Sequence, residues 1–361
     1  MERAEPPARV LANALLVLPD RSIEGDLIIR GSAIAALAAP GKGDGAEIWD
    51  LDGRRVAPGR IDAHTHGGWG IDFYTDGAER LVEAAARFAE IGVTTLLPTL
   101  HAAPPEEMLD RIAEAARACA ACPALHGIHL EGPFISADRR GALPEAGILP
   151  YDDRLMERIL AAAAGSLRVL TFAPEVVPAA ALRRIRSAGV RLSVGHTAAG
   201  SDVTRAAIRE GAWRATHLPN AMAPIHHRGS GPVLPLLLDE RVRVEVIADG
   251  VHVDDDFLRL VLALKGRKGV MAVSDSIPAA GLGATEGGFA GGVVTSDGRR
   301  AARGDGTLAG SVMFLPAALE RLEGELGLTP WEIAALGSST AAADLGLPRT
   351  GRIASGCRAD L

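Results

Sequence analysis

The 361-residue sequence is poor in cysteine, lysine and aromatic residues, and the shortage of cysteine excludes one class of protein. Cys119, Cys122 and Cys357 are too few and too unevenly spaced for a disulfide framework. Cys119 and Cys122 form a C-x-x-C pair, but the pair lies in an alanine-rich helical run rather than just after a strand. We therefore interpret both as solvent-side helical residues and not as a redox or zinc site.

Long hydrophobic runs are also lacking. The run at residues 10–18 is interrupted by Asn13 and preceded by the acids Glu2 and Glu5, which argues against a signal peptide. No later segment reaches membrane-spanning length. The net charge of -7 gives no reason to expect a nucleic-acid or anionic-membrane partner. These features predict a cytoplasmic protein, in which an anionic substrate would need a local cationic pocket.

The sequence does contain a repeated alternation of strand, loop and helix. Amphipathic helical stretches lie between most of eight short apolar runs. The runs are residues 61–63, 93–98, 125–130, 167–172, 191–194, 214–216, 243–247 and 270–273. Eight such units in a row are typical of a (β/α)8 barrel of the α/β class.

Both ends of the chain have a different pattern from the barrel. Residues 1–57 contain short apolar runs separated by turns, and the tail 352–361 begins what resembles another strand. We therefore predict a small β-sandwich-like domain built from residues 1–57 and 346–361. The catalytic barrel, residues 58–345, would be inserted between these two parts.

Histidines and acids follow the predicted barrel strands. The first strand is followed by two of them, and the third, fifth, sixth and eighth strands end in one each: His64, His66, Glu131, His196, His217 and Asp275. Because active sites of such barrels form at the carboxyl ends of the strands, we expect these side chains to converge. Three or more nitrogen and oxygen ligands around an open position are typical of a catalytic Zn²⁺ or Fe²⁺ site.

The other histidines near strand ends have a simpler interpretation. A lone histidine in such a place is more often a hydrogen-bonded structural residue than a ligand. This interpretation applies to His101, His126, His129, His226 and His227.

The predicted metal site indicates a type of reaction. A bound metal lowers the pKa of its water toward about 7 and polarises a carbonyl oxygen. An adjacent carboxylate can take the proton from that water and return it to the leaving group. Asp275, alone at the end of the last strand, fits that role. The residues therefore predict hydrolysis of an amide or a related C–N bond.

Several motifs resemble the amidohydrolase superfamily and, within it, the N-acetylglucosamine-6-phosphate deacetylases. They extend over nearly the whole chain, at residues 129–134, 195–197, 216–222, 249–254, 274–275 and 308–311. The resemblance implies conversion of N-acetylglucosamine 6-phosphate to glucosamine 6-phosphate and acetate, in amino-sugar catabolism. Related chains run on by about another strand, so we expect the sequence to be truncated at its end.

The resemblance also implies a role for single residues. Glu131, His196 and His217 match the principal metal ligands, His64 and His66 match a second metal position, and Asp275 matches the catalytic acid–base. The implied substrate contacts are Ala142, Leu143, Asn220, Ala221, Arg228, His252, Leu308, Ala309 and Gly310.

The resemblance further implies a cofactor and an assembly. We expect one or two divalent ions per subunit, with Zn²⁺ as the first choice and Fe²⁺, Mn²⁺ or Co²⁺ as alternatives. We also expect a homodimer in which Arg228 and His252 reach the phosphate in the neighbour's site, where a bidentate arginine suits the anion.

One position departs from the family pattern. After Arg140-Gly141-Ala142 the family usually has a histidine that touches the substrate near the carbonyl, and this chain has Leu143. The loss of such a donor costs on the order of 100- to 1000-fold in rate. Either another donor replaces it, for which His101 is a candidate, or the substrate differs.

The positions of the three lysines exclude one related function. Hydantoinases and dihydroorotases use a carboxylated lysine from the fourth strand, but Lys42, Lys265 and Lys268 all lie outside the first to seventh strands. That site cannot be built here. Three alternatives stay open: another N-acetylated amino sugar, an isoaspartyl-dipeptide or adenine-deaminase-like C–N bond, and a non-catalytic sugar-phosphate binder.

Overall fold

The chain begins with a five-stranded sheet. The computed structural model describes residues 7–45 and 47–361, so Glu2 and Glu5 lie outside the described residues. The strands are β1 (Ala8–Val17), β2 (Ser22–Arg30), β3 (Ala33–Ala38), β4 (Glu47–Asp50) and β5 (Arg55–Val56). Their order is β3-β2-β1-β4, with β5 also paired to β1. The first three strands are antiparallel, and β4 and β5 run parallel to β1.

The end of the chain packs against this sheet without forming the strand predicted for residues 352–361. The Ile34 N–H donates to the Cys357 carbonyl oxygen at 2.8 Å, and the Gly356 N–H donates to the Ile34 oxygen at 2.8 Å. Gly356 has a φ of 79°, which turns the chain out of an extended path. The tail therefore contributes side chains such as Ile353 to the core of this region, not a ladder. The domain boundaries stay a prediction.

The barrel begins with β6 (Arg60–Thr65), after which β7 (Gly67–Gly68) and β8 (Ile71–Asp72) form a short hairpin. Seven more barrel strands follow: β9 (Val93–His101), β10 (Ile128–Glu131), β11 (Leu167–Phe172), β12 (Arg191–Val194), β13 (Arg214–Ala215), β14 (Arg243–Ile247) and β15 (Val270–Val273). All neighbours pair in parallel and in sequence order. Most of these strands are apolar and nearly all of their residues are buried, as expected of parallel strands covered on both faces.

The barrel closes between its first and last strands. The Asp275 N–H donates to the His64 carbonyl oxygen at 2.9 Å, and the His66 N–H donates to the Ser276 oxygen at 2.7 Å. These bonds lie just beyond the ends of β6 and β15, which brings residues 64–66 beside residues 275–276. The predicted (β/α)8 barrel is confirmed.

Helices follow most of the barrel strands, as the alternation of strand, loop and helix in the sequence predicts. They are α1 (Ala78–Glu90), α2 (Pro105–Ala121), α3 (Asp153–Ala163), α4 (Ala179–Ser187), α5 (Ser201–Arg209), α6 (Val233–Leu238) and α7 (Asp255–Lys265). In α1 the buried residues Leu81, Ala84, Ala85 and Phe88 recur at three-and-four spacing. This apolar stripe packs against the barrel and leaves the polar face outside.

A small antiparallel sheet follows the last barrel strand. It consists of β16 (Ala284–Phe289), β17 (Gly292–Asp297) and β18 (Ala301–Ala302). The chain returns to helix in α8 (Leu315–Leu326), α9 (Pro330–Ala334) and α10 (Thr340–Leu345), with one wider turn at Ala335–Ser339 joining the last two. No helix of the described ranges combines the length and the apolar character that crossing a membrane requires.

The C-x-x-C pair lies at the end of α2. Cys119 and Cys122 are free and half-buried. Burial raises the pKa of the Cys119 thiol to about 12, so this side chain stays a neutral thiol. Within residues 7–45 and 47–361, no group with metal-ligand spacing includes either cysteine.

Candidate active site

Glu131, His196 and His217 meet at the carboxyl ends of the barrel strands. The Glu131 Oε1 atom lies 3.1 Å from His196 Nε2 and 3.0 Å from His217 Nε2. The two Nε2 atoms are 3.1 Å apart. Three buried ligand atoms therefore point toward one another, as the predicted principal metal position requires.

His64, His66 and Asp275 form a second group beside the first. The Asp275 Oδ1 atom lies 3.3 Å from His64 Nε2 and 3.2 Å from His66 Nε2. Glu131 joins the two groups, since its Oε2 atom is 3.3 Å from His66 Nε2. All six predicted side chains thus converge on one cluster.

A strained backbone positions three of these side chains. His196, His217 and Asp275 have φ values of 47°, 29° and 48°, in the left-handed region that residues other than glycine rarely adopt. Such a conformation costs about 1–3 kcal/mol per residue and concentrates at functional sites. It turns the chain sharply where each strand ends.

Carbonyl oxygens fix the tautomers of two histidines. The His196 Nδ1 atom lies 2.8 Å from the Arg139 oxygen, and His66 Nδ1 lies 3.1 Å from the Thr99 oxygen. Because a carbonyl only accepts, each Nδ1 carries the proton and donates it. Each Nε2 lone pair is then left to face the cluster, which is the arrangement of metal-ligating histidines.

A buried ion network holds His64. Its Nδ1 atom lies 3.0 Å from Glu245 Oε2, while Arg214 Nε donates to Glu245 Oε1 at 2.7 Å. Arg214 also donates to Asp344 of α10 at 2.6 Å. Burial raises the pKa of Glu245, but the Arg214 charge and the His64 contact outweigh it and lower the pKa below its ordinary value. The ionised Glu245 keeps His64 Nε2 directed at the cluster.

Glu245 and Arg214 were not among the residues predicted from the sequence. Their signal was a charged residue, Glu245, between two valines of β14 and another, Arg214, at the start of β13. A buried charge needs a partner, and adjacent strands bring these two together.

The cluster has the electrostatics of a cation site. Burial lowers the pKa of His66, but hydrogen bonds with Asp275 and Glu131 outweigh it and raise the pKa to about 10. Burial raises the pKa of Glu131, but the neighbouring histidines hold it well below its ordinary value. Ionised carboxylates are therefore concentrated here, and a divalent ion can replace the His66 proton.

One orphaned atom supports the same conclusion. His64 Nε2 is fully buried and has no hydrogen-bond partner among residues 7–45 and 47–361. An unsatisfied buried polar atom is costly unless something else binds it. Imidazole nitrogens with carboxylate oxygens are a donor set that suits Zn²⁺, Fe²⁺, Mn²⁺ or Co²⁺, so the residues present fit a divalent metal.

A cavity of about 280 Å³, here called the catalytic cavity, lies over the cluster. Most predicted site residues line it: His66, Glu131, Ala142, Leu143, His196, His217, Asn220, Ala221, His252, Asp275, Leu308 and Gly310. Four lining residues were not predicted: Gly141, Ile247, Phe289 and Thr307. The cavity therefore combines the metal cluster with the predicted sugar contacts.

Three predicted residues do not line the catalytic cavity. His64 lies beneath its floor, completely buried. Ala309 is also completely buried, its N–H bonded to the Ala301 oxygen and its methyl packed under the small sheet, and its substrate contact stays a prediction. Arg228 is exposed on the loop between β13 and α6.

His252 belongs to the cavity of its own chain. Its Nδ1 atom lies 2.8 Å from Asp249 Oδ2, and the Ser311 hydroxyl donates to the same oxygen at 2.8 Å. Burial lowers the pKa of His252, but Asp249 outweighs it and raises the pKa above its ordinary value. The side chain is buried and held in its own chain, and the predicted contact with a neighbouring subunit's site stays a prediction.

His101 does not replace the missing histidine. It lies outside the catalytic cavity, stacked on Tyr74 with ring centroids 3.9 Å apart. Burial lowers its pKa to about 4, so the ring is neutral. Its Nδ1 proton goes to the Ala102 oxygen at 3.0 Å, which leaves Nε2 as an acceptor only.

Comparisons with known proteins agree with this geometry. A sequence model of the amidohydrolase family matches residues 55–361. The N-acetylglucosamine-6-phosphate deacetylase of Bacillus subtilis (strain 168) is 35% identical over 316 residues, which cover 85% of this chain and 79% of that protein. The N-acetylgalactosamine-6-phosphate deacetylase of Escherichia coli O157:H7 is 32% identical over 304 residues, or 83% of this chain and 80% of that protein.

A solved structure resembles the whole fold. It is a variant of the N-acetyl-D-glucosamine-6-phosphate deacetylase from Mycobacterium smegmatis in complex with N-acetyl-D-glucosamine-6-phosphate. The TM-score is 0.92 at 31% identity, and the match covers 99% of this chain and 94% of that chain.

Proposed function

Because the chain belongs to the amidohydrolase family, we propose that it hydrolyses N-acetylglucosamine 6-phosphate to acetate and glucosamine 6-phosphate. The family match confirms the resemblance inferred from the motifs. The observation that carries the proposal is the cluster of Glu131, His196 and His217, which adjoins Asp275 at the base of the catalytic cavity.

Five side chains would hold the divalent metal that the family implies. Glu131, His196 and His217 would bind the principal ion, and His64 and His66 offer a second position beside Asp275. The bound ion supplies a water of lowered pKa and polarises the substrate carbonyl. Zn²⁺ is the proposed ion, because imidazole and carboxylate ligands suit it.

Asp275 is the proposed proton carrier. Burial raises the pKa of its carboxyl, but His64 and His66 outweigh it and lower the pKa below its ordinary value. The group is therefore ionised at neutral pH and able to accept a proton from the attacking water. Returning that proton to the amide nitrogen releases the amine.

The remaining lining residues would hold the sugar phosphate. The Asn220 amide donates to the His217 carbonyl oxygen at 3.0 Å, which leaves Oδ1 free to accept from a sugar hydroxyl. His252 supplies a cationic ring from the same chain. Arg228 is exposed outside the catalytic cavity, so its phosphate contact requires a homodimer, which is part of the proposal along with a cytoplasmic location.

Acetate release from a substrate panel tests this function. The panel contains N-acetylglucosamine, N-acetylgalactosamine and N-acetylmannosamine, each with and without the 6-phosphate, plus an isoaspartyl dipeptide, on metal-loaded protein. We expect N-acetylglucosamine 6-phosphate to react best, by at least about 100-fold over unphosphorylated N-acetylglucosamine, because charge-assisted phosphate contacts are strong. Equal activity on the unphosphorylated sugar would exclude the phosphate contacts. Binding without acetate release would favour the non-catalytic binder.

A further inference from the structure

A second cavity lies beside the catalytic cavity, and the Phe289 side chain separates the two. The second cavity has a volume of about 750 Å³, against about 280 Å³ for the catalytic cavity, and Phe289 lines both. The Phe289 ring centroid lies 5.2 Å from that of His66 on the catalytic side. It lies 6.0 Å from that of His101 on the other side. Phe289 is therefore a partition about one ring thick.

The partition is held in place by the small sheet. Phe289 ends β16 and pairs with Gly292 across the turn residues Ala290 and Gly291. Both turn residues have left-handed φ values, 47° and 72°, as a tight two-residue hairpin requires. Arg303 donates to the Ala290 oxygen at 3.0 Å and also bonds to the Ala142 oxygen, which ties the hairpin tip to the opposite wall.

The strand order determines which part of the substrate faces Phe289, and this step rests on the proposed function. In an eight-stranded barrel, strands four places apart lie opposite each other, so β9 faces β13 and β10 faces β14. Asn220 follows β13 and His252 follows β14, whereas His101 ends β9. The sugar and its amide nitrogen therefore lie on the β13–β14 side of the metal cluster. The acyl carbon chain, on the other side of the carbonyl, points toward β9 and Phe289.

The second cavity suits a neutral chain. Part of its lining is apolar, with Ala103, Pro144 and Val293 among the residues. Asp76 and Glu107 also line it, and none of its described lining residues is a lysine or arginine. An acyl chain that ends in a carboxylate would meet like charge there.

We propose that Phe289 limits the enzyme to acyl groups of acetyl size, and that the second cavity accepts a longer neutral acyl chain once the ring is removed. Phe289 is a specificity-determining residue in this proposal, because it bounds the space beyond the carbonyl.

The test compares N-acetyl, N-butyryl and N-succinyl glucosamine 6-phosphate as substrates of wild type, Phe289→Ala and Val293→Ala. We expect Phe289→Ala to raise the ratio of kcat/KM for butyryl over acetyl by at least about tenfold, since one methylene in a pocket is worth about 10- to 200-fold. Val293→Ala removes bulk from the same hairpin beyond the partition, so its ratio should match wild type. The succinyl substrate should stay poor in all three.

Binding gives a second readout that does not depend on turnover. In an Asp275→Asn background, titration calorimetry should show that Phe289→Ala lowers the Kd of the butyryl compound by about tenfold or more relative to the acetyl compound. An unchanged ratio in both kinetics and binding would overturn the proposal. If Phe289→Ala does not fold, Phe289→Leu must shift the ratio in the same direction, and no shift would overturn it. A wild type that releases no acetate from the N-acetyl compound would instead refute the proposed function.

Discussion

Asp275 is the cluster residue whose proposed role is to move a proton. Its Oδ1 atom lies within 3.3 Å of both His64 and His66. Asn has nearly the same shape as Asp but cannot take a proton. The principal ligands Glu131, His196 and His217 are unaffected by that change.

We therefore expect Asp275→Asn to lower acetate release by about 100- to 10,000-fold, the usual worth of a general base. Metal content, measured by mass spectrometry, should equal that of wild type. Loss of the metal together with the activity would mean that Asp275 acts mainly as a ligand.

The Asp249–His252 pair predicts how stability depends on pH. Burial raises the pKa of Asp249, but the His252 hydrogen bond and charge outweigh it and lower the pKa from 3.8 to about 2. The stability that the ionised Asp249 contributes is therefore complete above about pH 4 and lost as pH falls toward 2. The pKa of His252 is raised above 6.5, so its contribution is complete below that value and lost as pH rises.

Asp249→Asn should accordingly lower the free energy of unfolding most between about pH 4 and 6.5, where the loss is about 2 kcal/mol. Urea unfolding of the two proteins from pH 3 to 9 measures this difference, and we expect about half of it at pH 3. Ser311→Ala, which removes an uncharged donor to Asp249, serves as the control, and its loss should stay constant between about pH 6.5 and 9 because Asp249 remains ionised there. A flat difference for Asp249→Asn would refute the coupling.

At the residue scale, the predicted site residues agree with the structure where a residue's role depends on its position along a strand. His64, Glu131 and His217 were predicted because each follows or ends a barrel strand. Glu245 and Arg214 were missed because their partners lie up to 181 residues away along the chain. The left-handed backbone at the strand ends leaves no mark in residue type, since histidine and aspartate stand where glycine would be expected.

At the element scale, periodicity predicted the helices well because each buries one stripe against the barrel. The strand predicted for residues 352–361 was wrong, because a short apolar pattern fits either a strand or a turn that packs two side chains inward. Alternation over so few residues does not distinguish them. The turn at Gly356 decides the outcome.

The end of α3 allows a test of helix capping. Ala164 terminates this helix at φ 46° and ψ 40°, a left-handed conformation that suits glycine. We expect Ala164→Gly to raise the free energy of unfolding by about 1 kcal/mol, because the Cβ clash disappears. Ala161→Gly, at an exposed position inside the same helix, should lower it by about 1 kcal/mol. Equal effects of the two changes in urea unfolding would contradict this account of the cap.

At the scale of the whole molecule, the proposed homodimer predicts that Arg228 acts in the neighbouring subunit's site. Its loop lies outside the catalytic cavity of its own chain. Mixed dimers of Arg228→Ala and Asp275→Asn subunits answer it. If Arg228 acts on the neighbour, one site of each mixed dimer has both residues intact.

We expect an equimolar reassembled mixture to recover about one quarter of wild-type activity, because half the dimers are mixed and each has one complete site. Each variant alone should stay nearly inactive on the phosphorylated substrate. No recovery, in a mixture shown by mass spectrometry to contain mixed dimers, would place Arg228 in its own chain's site.

The closure of the barrel between its first and last strands also bears on the order in which the two groups of side chains are synthesised. The last of the three side chains proposed for the principal position is His217. The second position also needs Asp275, which the ribosome adds 58 residues after His217. At about 5–20 residues per second, that interval lasts about 3–12 seconds. The side chains proposed for the principal position are thus all synthesised before the barrel can close. The second group is complete only when His64, among the earliest residues of the barrel, meets Asp275, one of its last. The two groups of side chains are therefore completed in the order of synthesis.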